Sequence, residues 1–251
     1  MGLHLALALQ WKLLQQLMIN LSARSLKKEL LDSDNIPFAD IKRNMHELNA
    51  VNTLLGGHFI SIRGIRDLLP EHTNEPLIIC EVGCGGGDNL SAISKWCTKN
   101  NIDAHFIGID IKKECIDFAK QQYPDLNATW LVRDYKDVTF INKPAIIFSS
   151  LFCHHFTNDE IISMLPWMQQ NSQKGFFIND LHRNTLAYFS IKWITRLFSH
   201  SYLVKNDAPL SVARSFKKND WILLLDKAGI REYTIQWKWA FRYLVVYKKN
   251  E

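Results

Sequence analysis

The stretch "EVGCGGGD" (residues 81–88) decides how the rest of the chain is interpreted. It follows the apolar run "LIICEVG" (77–83), and after it Leu90, Ile93 and Cys97 recur at helical spacing. A buried strand, a glycine-rich turn and a helix, in that order, form the ligand-binding corner of a doubly wound α/β sheet. The first question is therefore which ligand such a turn would hold.

The segments around this turn alternate between strand and helix. Four further segments have the composition of buried strands: "AHFIGID" (104–110), "ATWLVRDY" (128–135), "AIIFSSLF" (145–152) and "GFFINDLH" (175–182). Two β-rich segments (232–240 and 241–249) end the chain with almost no spacer, which predicts an antiparallel hairpin. We predict a Rossmann-like, doubly wound α/β sheet of seven strands, mostly parallel.

Two additions flank this sheet in the predicted organisation. Residues 1–70 form an N-terminal helical extension and cap with one helix over 39–55, and residues 71–251 form the main domain. An apolar, aromatic insertion at about 184–215 is expected to be a substrate lid. A second methionine, Met18, favours an interpretation of residues 1–17 as an added segment; polar side chains interrupt its leucines, so we expect no membrane span.

Composition narrows the expected partners and compartment. The net charge of +5 is modest and its 30 Lys and Arg residues are dispersed, so no nucleic-acid partner is expected. Five cysteines without a C-x-x-C pair favour a reduced, cytoplasmic protein. No metal-ligand spacing is present, so we expect catalysis without a metal. The oligomeric state stays open.

The glycine turn itself excludes two common ligands. The dinucleotide fingerprint G-x-G-x-x-G fits Gly83 and Gly85, but Asp88 stands where the third glycine belongs. The phosphate-binding P-loop needs Gly-Lys-Ser/Thr, which is absent here. The remaining pattern, E-x-G-x-G-x-G, resembles motif I of the class I S-adenosylmethionine (SAM)-dependent methyltransferases, in particular a bacterial branch acting on quinones and natural products. The resemblance covers roughly residues 75–229.

The resemblance implies SAM as the cofactor and a set of residues that bind it. Gly83 and Gly85 would let the backbone approach the methionine moiety, and Glu81 would organise the turn and the amino group. Asp110 would accept the ribose hydroxyls, and Asp134, with Tyr135 beside it, would bind the adenine amino group. The remaining members of the expected cofactor set are Cys84, Gly87, Ile111 and Ser150.

The segment after the fourth strand, "SSLFCHHFTNDE" (149–160), bears on the acceptor. It lacks the Asn or Asp, the two prolines and the aromatic residue of methyltransferases that modify base nitrogens, and it looks like small-molecule enzymes. We predict O-methylation of a hydroxylated aromatic or polyketide-type acceptor, with a histidine as general base. His155 is the first candidate and His182 the second; His154 is the third, since neighbours in a strand face opposite ways.

The acceptor itself is expected to meet basic and aromatic side chains. Arg183 and Arg214 would hold an acidic group, and Tyr188 and Trp193 would form the apolar lid. Three alternatives stay open: C-methylation of a quinone-like ring, a regulatory module that binds SAM without transferring its methyl group, and RNA binding by residues 236–249. The last is the weakest because strands with one solvated face explain that segment better.

Overall fold

The computed structural model describes residues 19–33, 35–69 and 76–249. The predicted added segment, residues 1–17, lies outside the described residues. A seven-stranded sheet forms the centre, in the order β3-β2-β1-β4-β5-β7-β6. Its strands are β1 Leu77–Val82, β2 Ala104–Asp110, β3 Ala128–Val132, β4 Ile146–Ser150, β5 Gly175–Leu181, β6 Tyr233–Lys238 and β7 Arg242–Lys248.

The strand directions confirm the predicted doubly wound sheet. Strands β1 to β5 are mutually parallel, and β7 runs antiparallel to both β5 and β6. Strands β2 and β3 are added on one side of β1, and the chain then crosses to place β4 on the other side. Ligands bind at such a switch point, outside the carboxyl ends of the strands. The glycine turn after β1 therefore lies at the expected binding edge.

Eight α-helices among the described residues cover the sheet and its carboxyl edge. They are α1 Phe38–Leu54, α2 Gly57–Leu68, α3 Asp88–Lys99, α4 Lys113–Gln122, α5 Asn158–Asn171, α6 Thr185–Phe198, α7 Tyr202–Arg214 and α8 Lys218–Lys227. The sequence "TNDE" (157–160) has the form of a capping box, and at the N-terminus of α5 Thr157 and Glu160 form this reciprocal pair. The predicted front helix is α1, and it ends just before Gly56, which has φ +73°.

Helix α2 differs from the expected cap. Ile60, Ile65 and Leu68 are buried in the same core as Phe177 of β5 and Leu244 of β7. The predicted boundary at residue 70 therefore does not separate two cores. The second glycine of the pair at 56–57 begins this new helix, so the pair marks a turn between two helices rather than the end of helical structure.

The insertion between β5 and α8 folds as two helices, α6 and α7, which pack against each other. Both contribute side chains to the large cavity at the carboxyl edge of the sheet. Within the described part of the chain, no helix has the length and apolar character needed to cross a bilayer. All five cysteines are buried free thiols.

Candidate functional site

A cavity of about 830 Å³, here called the cleft, opens at the carboxyl edge of the sheet. This volume is near the upper end of the range of about 300–1,000 Å³ for small-molecule sites. The glycine turn after β1 forms one side of the cleft and the segment after β4 forms the other. Helices α1, α6 and α7 cover it. Such a cavity has room for two small ligands side by side.

The glycine turn requires glycine for conformational and steric reasons. Gly83, Gly85 and Gly87 have φ values of +71°, +49° and +78°, a region that disfavours side chains. A Cβ on Gly83 would lie 2.2 Å from the Phe152 ring. At Gly85 a Cβ would meet only Met45 Sδ, at 3.7 Å, so the turn presents bare backbone to the cleft. A ligand can therefore approach the main chain closely here.

Glu81 is a buried acid at the start of this turn. Burial and the nearby carboxylates of Asp88 and Asp110 raise its pKa well above the usual range, and a hydrogen bond with Asn89 opposes that shift. Its Oε2 atom has no hydrogen-bond partner, although the side chain lines the cleft. A buried acceptor without a donor is costly. A cationic donor such as an ammonium group would satisfy it, so this side of the cleft fits the amino group of SAM.

The acids after β2 and β3 also line the cleft. Asp110 accepts backbone hydrogen bonds from Gly85 and Lys112, both at 2.9 Å, which fixes its carboxylate beside the turn. Burial raises the pKa of Asp110, and these two hydrogen bonds partly offset that effect. Asp134 accepts from the Lys136 backbone N–H at 3.1 Å. The carboxyl edge thus brings together acids that are far apart in sequence.

The remaining members of the expected cofactor set differ in their exposure to the cleft. Ile111 is an exposed apolar side chain at its mouth, whereas Cys84 and Ser150 are buried. Tyr135 is buried in the core, and its hydroxyl has no partner. Gly87 does not line the cleft; its Cβ position faces Trp130, 2.6 Å away. Gly87 therefore shapes the turn and the start of α3 rather than contacting the cavity.

The opposite side of the cleft is lined by four ionisable side chains, Glu29, Asp32, His154 and His155. Together with Asp180, which is buried next to His154, they are here called the histidine cluster. His154 is buried, and its Nδ1 lies 2.7 Å from Asp180 Oδ1. His155 is partly exposed, with its Nδ1 2.9 Å from Asp32 Oδ1. The two imidazoles are tilted against each other, with centroids 4.6 Å apart. Each ring therefore has one nitrogen held by a carboxylate.

The structure corrects the expectation that only one of the two adjacent histidines faces the cleft. Both line it, because they lie in a 3-10 helix, Cys153–His155, where neighbouring side chains do not alternate as they do in a strand. Their Nε2 atoms approach the same carboxylate, Glu29, at 3.6 and 3.7 Å. Those distances exceed a hydrogen bond. Both Nε2 atoms are thus free to meet a ligand.

The carboxylates of the cluster differ in charge state. Burial raises the pKa of Glu29 to about 7, while the positive charge of His155 and a hydrogen bond from Ser211 oppose the shift. Burial alone would raise the pKa of Asp180, but the charge of His154 and hydrogen bonds from that side chain and from backbone N–H groups bring it below the usual value. Asp180 is therefore a fixed negative partner for His154, and Glu29 exchanges its proton near neutrality.

The cluster also contains a set of potential metal ligands. One ligand atom from each of Glu29, His154 and His155 lies within 4.8 Å of the other two. Two imidazoles and a carboxylate suit zinc and other divalent transition metals. Sequence spacing does not reveal this set, because Glu29 is remote from the histidines along the chain. Metal-independent catalysis therefore stays a prediction that chelation can test.

Two of the predicted site residues line a different pocket. His182 and Arg183 line a separate pocket next to the N-terminus of α6, because the chain turns away from the sheet edge after β5. Burial, Lys217 and Arg183 lower the pKa of His182. Arg183 donates to the carbonyls of Leu21 and Ser215 and pairs with Asp220. The structure thus contradicts a catalytic role for His182 and gives Arg183 a structural one.

Arg214 lines the cleft but its donors are already occupied. It donates to the backbone carbonyls of His154, His155 and Lys27, and approaches Glu29 and Asp32 at 3.8 Å. Contrary to the prediction, Arg214 therefore does not have free donors for an acidic group of the acceptor. It instead holds the segments of the histidine cluster together.

The prediction that Tyr188 and Trp193 cover the cleft is wrong, because they lie on the other face of α6. Tyr188 and Trp193 do not line the cleft, and Trp193 is 58% exposed. The opposite face of α6 lines it, through Ala187, Ser190, Ile191 and Ile194. These spacings of three and four residues place aliphatic side chains, not aromatic ones, over the cavity.

Comparison with known proteins agrees with this geometry. Residues 79–175, from β1 to the start of β5, match the family described as "Methyltransferase domain". No curated protein sequence matches the chain significantly. The matched segment contains the glycine turn, both acids after β2 and β3, and both histidines of the cluster.

Several solved structures share the fold at low identity. The plantazolicin methyltransferase BpumL, in complex with SAH, is 18% identical with a TM-score of 0.63, over 84% of this chain and 96% of that one. Human N-acetylserotonin methyltransferase, in complex with SAM, is 15% identical with a TM-score of 0.62, over 90% and 64%. A SAM-dependent methyltransferase from Aquifex aeolicus is 17% identical with a TM-score of 0.58, over 84% and 98%. The matched domain supports methyl transfer as the activity, and these neighbours show that the chain shares the fold of methyltransferases crystallised with SAM or SAH.

Proposed function

We propose that this chain methylates an oxygen atom of a small hydroxylated aromatic or polyketide-type acceptor, with His155 as the general base. The observation that carries the proposal is that one cavity joins the glycine turn to an imidazole with a free Nε2. Phe152 connects the two sides: its ring lies against Gly83 and has its centroid 6.2 Å from that of His155. The base and the turn are therefore close neighbours across the cleft.

The cofactor side of the proposal assigns roles to residues around the turn. When bound, SAM supplies a methyl group on a positively charged sulfur. Glu81 would receive its ammonium group at the unpartnered Oε2, and Asp110 would accept the ribose hydroxyls. Asp134 would accept from the adenine amino group, beside the exposed apolar side chain of Ile111. A buried acidic side chain and an uncovered backbone make this site more suitable for a cationic ligand than for a phosphate group.

The acceptor side depends on the orientation of His155. Because the Asp32 carboxylate can only accept, the proton of the neutral imidazole lies on Nδ1, which leaves the Nε2 lone pair for the acceptor hydroxyl. The hydroxyl proton moves to Nε2, and the resulting imidazolium is stabilised by Asp32 and by Glu29, 3.7 Å from Nε2. General-base catalysis of this kind contributes about 10²–10⁴ in rate. His154, held by Asp180, supports the position of its neighbour.

The regiochemistry is tested with methyl-labelled SAM. Purified protein is incubated with a panel of phenolic acceptors, each paired with an analogue in which the hydroxyl is already methylated, and the labelled carbon is located by NMR. We expect label on oxygen and no turnover of the blocked analogues. Label on ring carbon would establish C-methylation instead, and SAM that binds but is never consumed across the panel would establish a regulatory binding module.

A further inference from the structure

Arg242, the first residue of β7, is a buried cation with unsatisfied nitrogen atoms. It is 2% exposed and lines the cleft. One nitrogen, Nη2, donates to Asn52 Oδ1 at 3.0 Å, while Nε and Nη1 have no partner. No ion pair joins this guanidinium to a carboxylate within the described residues; Asp180 and Asp88 act on it only through space. Burial lowers the pKa of Arg242 to about 10.

Arg183 shows what a structural buried arginine looks like in the same protein. It is equally buried, yet it donates to three backbone carbonyls and pairs with Asp220 at 3.0 Å. Buried charges are normally paired in this way, because an unpaired one carries the full cost of its desolvation. Arg242 departs from that rule at the one place where a ligand can reach it.

The surroundings of Arg242 preserve space for its guanidinium group. A Cβ on Gly57, the first residue of α2, would lie 2.9 Å from Nη1, so glycine leaves room for that nitrogen. Asn52 links Arg242 to the glycine turn, because its Nδ2 donates to Asp88 Oδ2 at 3.3 Å. Asn44 Nδ2 is another buried donor without a partner along the cleft. The cleft thus contains unpartnered donors on both Arg242 and Asn44.

We infer that Arg242 binds a carboxylate group in the cleft, a role that rests on the proposed function. Arginine offers several N–H donors in a planar group that matches a carboxylate. Two carboxylates are available to such a site: that of the amino-acid half of the cofactor and one on the acceptor. The link through Asn52 to the glycine turn favours the cofactor, whose ammonium group would then meet the unpartnered Oε2 atom of Glu81 and whose carboxylate would meet the unpaired guanidinium group of Arg242.

The two sources are separated by ligands that differ in one group. S-adenosylhomocysteine carries the amino-acid moiety and 5′-methylthioadenosine lacks it, so their affinities are measured by calorimetry for the wild type and for Arg242→Gln. If the cofactor supplies the carboxylate, the variant loses at least about tenfold in affinity for the first ligand and nothing for the second. A second pair of ligands tests the acceptor: 2,4-dihydroxybenzoate carries a carboxylate and resorcinol lacks it. Their affinities are measured for both proteins with S-adenosylhomocysteine already bound.

Loss of a preference for the benzoate in Arg242→Gln, with unchanged affinity for S-adenosylhomocysteine, would assign the carboxylate to the acceptor. Unchanged affinities for all four ligands would overturn the inference. Wild-type protein that binds neither adenosine derivative would contradict the proposed function. The role of Arg242 would then be tested only by comparing the affinities for 2,4-dihydroxybenzoate and resorcinol.

Folding controls keep this test decisive. Arg242→Gln removes an unpaired buried charge, so the ligand-free variant should be at least as stable as the wild type, whereas Arg183→Gln should be less stable. If Arg242→Gln does not fold, Gly57→Ala gives a second test, since its methyl group displaces Nη1 without removing the charge. We expect it to weaken the same ligand as Arg242→Gln, and unchanged binding of every ligand would overturn the inference.

Discussion

The two sides of the cleft are built in different ways. The glycine-turn side comes from the ends of β1, β2 and β3, where backbone geometry and hydrogen bonds within and between neighbouring strand ends fix each group. The histidine cluster needs residues 29 and 32 from before the first helix, residues 154–155 after β4 and Asp180 in β5. One side is therefore preorganised by local sequence, and the other by contacts between remote segments.

This difference indicates a division of labour. The turn depends on the backbone geometry of a few glycines, while the groups proposed to activate the acceptor come from segments that are distant in sequence. We expect changes on the histidine side to affect turnover and changes on the glycine side to affect cofactor affinity. The predictions below test that separation.

The largest expected effect is on turnover in His155→Ala. Loss of the base should lower kcat by about 10²–10⁴, the usual contribution of general-base catalysis, while leaving the affinity for S-adenosylhomocysteine within about twofold. His182→Ala is the matched control, because that imidazole lies in a separate pocket. Steady-state kinetics and calorimetry measure both. Equal losses of turnover in the two variants would contradict the assignment of the base to His155 in the cleft.

The second effect is on the cofactor side, in Gly83→Ala. A side chain at φ +71° with a ring 2.2 Å away should distort the turn and lower affinity for S-adenosylhomocysteine by at least about tenfold. Gly229→Ala carries the same conformational penalty at φ +72°, with open space around it and far from the cleft. Both variants should lose stability, but only the first should lose affinity. Loss of affinity in neither would show that the turn does not bind the cofactor.

The third effect is a pH-dependent gain of stability in Glu81→Gln without ligand. The pKa of Glu81 is raised in the folded protein, so its favourable contribution is complete below the unfolded pKa and is lost as the pH rises through the folded pKa. The variant should match the wild type near pH 4 and exceed it at pH 8 by about 1–3 kcal/mol, the usual cost of a buried unsatisfied group. Chemical denaturation at both pH values measures this difference.

The same variant should gain less stability from S-adenosylhomocysteine, because the ammonium group no longer meets a carboxylate. A gain equal to that of the wild type would contradict the contact between Glu81 and the cofactor.

The fourth effect is small and concerns the two faces of α6. Trp193→Ser on the outer face should change stability by less than about 0.5 kcal/mol and leave KM for the acceptor unchanged. Ile191→Ala on the inner face should raise that KM by about tenfold, since it removes apolar contact worth roughly 1–3 kcal/mol in a binding pocket. A larger change of KM in Trp193→Ser than in Ile191→Ala would reverse the assignment of the faces.

The smallest expected effect is that of metal removal. If His155 acts as a base, prolonged dialysis against a chelator leaves kcat unchanged. Loss of activity that zinc or another divalent ion restores would show instead that Glu29, His154 and His155 bind a metal.

Sequence reasoning reached the fold and the glycine-turn side because both depend on local patterns. The buried strands, the capping box at Thr157 and the position of Asp88 are each visible within a few residues. It did not predict the histidine cluster, because long-range packing determines which side chains meet there. The ion pairs of Glu29 and Asp32 with His154 and His155 span more than a hundred residues, and "KKELLDSD" (27–34) carries no motif that announces them.

Two errors have a shared physical cause. The faces of α6 and the position of His182 depend on how the chain turns after β5, where Asn184 caps the helix through backbone hydrogen bonds from Leu186 and Ala187. An apolar helix with aromatic residues on one side gives no indication of which side meets a ligand. Trp193 and Phe189 are consequently exposed, and the face of α6 that lines the cleft has no aromatic residue.

The central claim, that His155 removes a proton from the acceptor oxygen, is tested most directly by acceptors of graded acidity. Single-turnover rates of the wild type and of His155→Ala are compared across phenols whose hydroxyl pKa ranges from well above to well below the assay pH. We predict that the defect of His155→Ala shrinks from about 10²–10⁴ towards unity as the phenol becomes ionised without help. A defect of constant size across the series would contradict a role for His155 as the base.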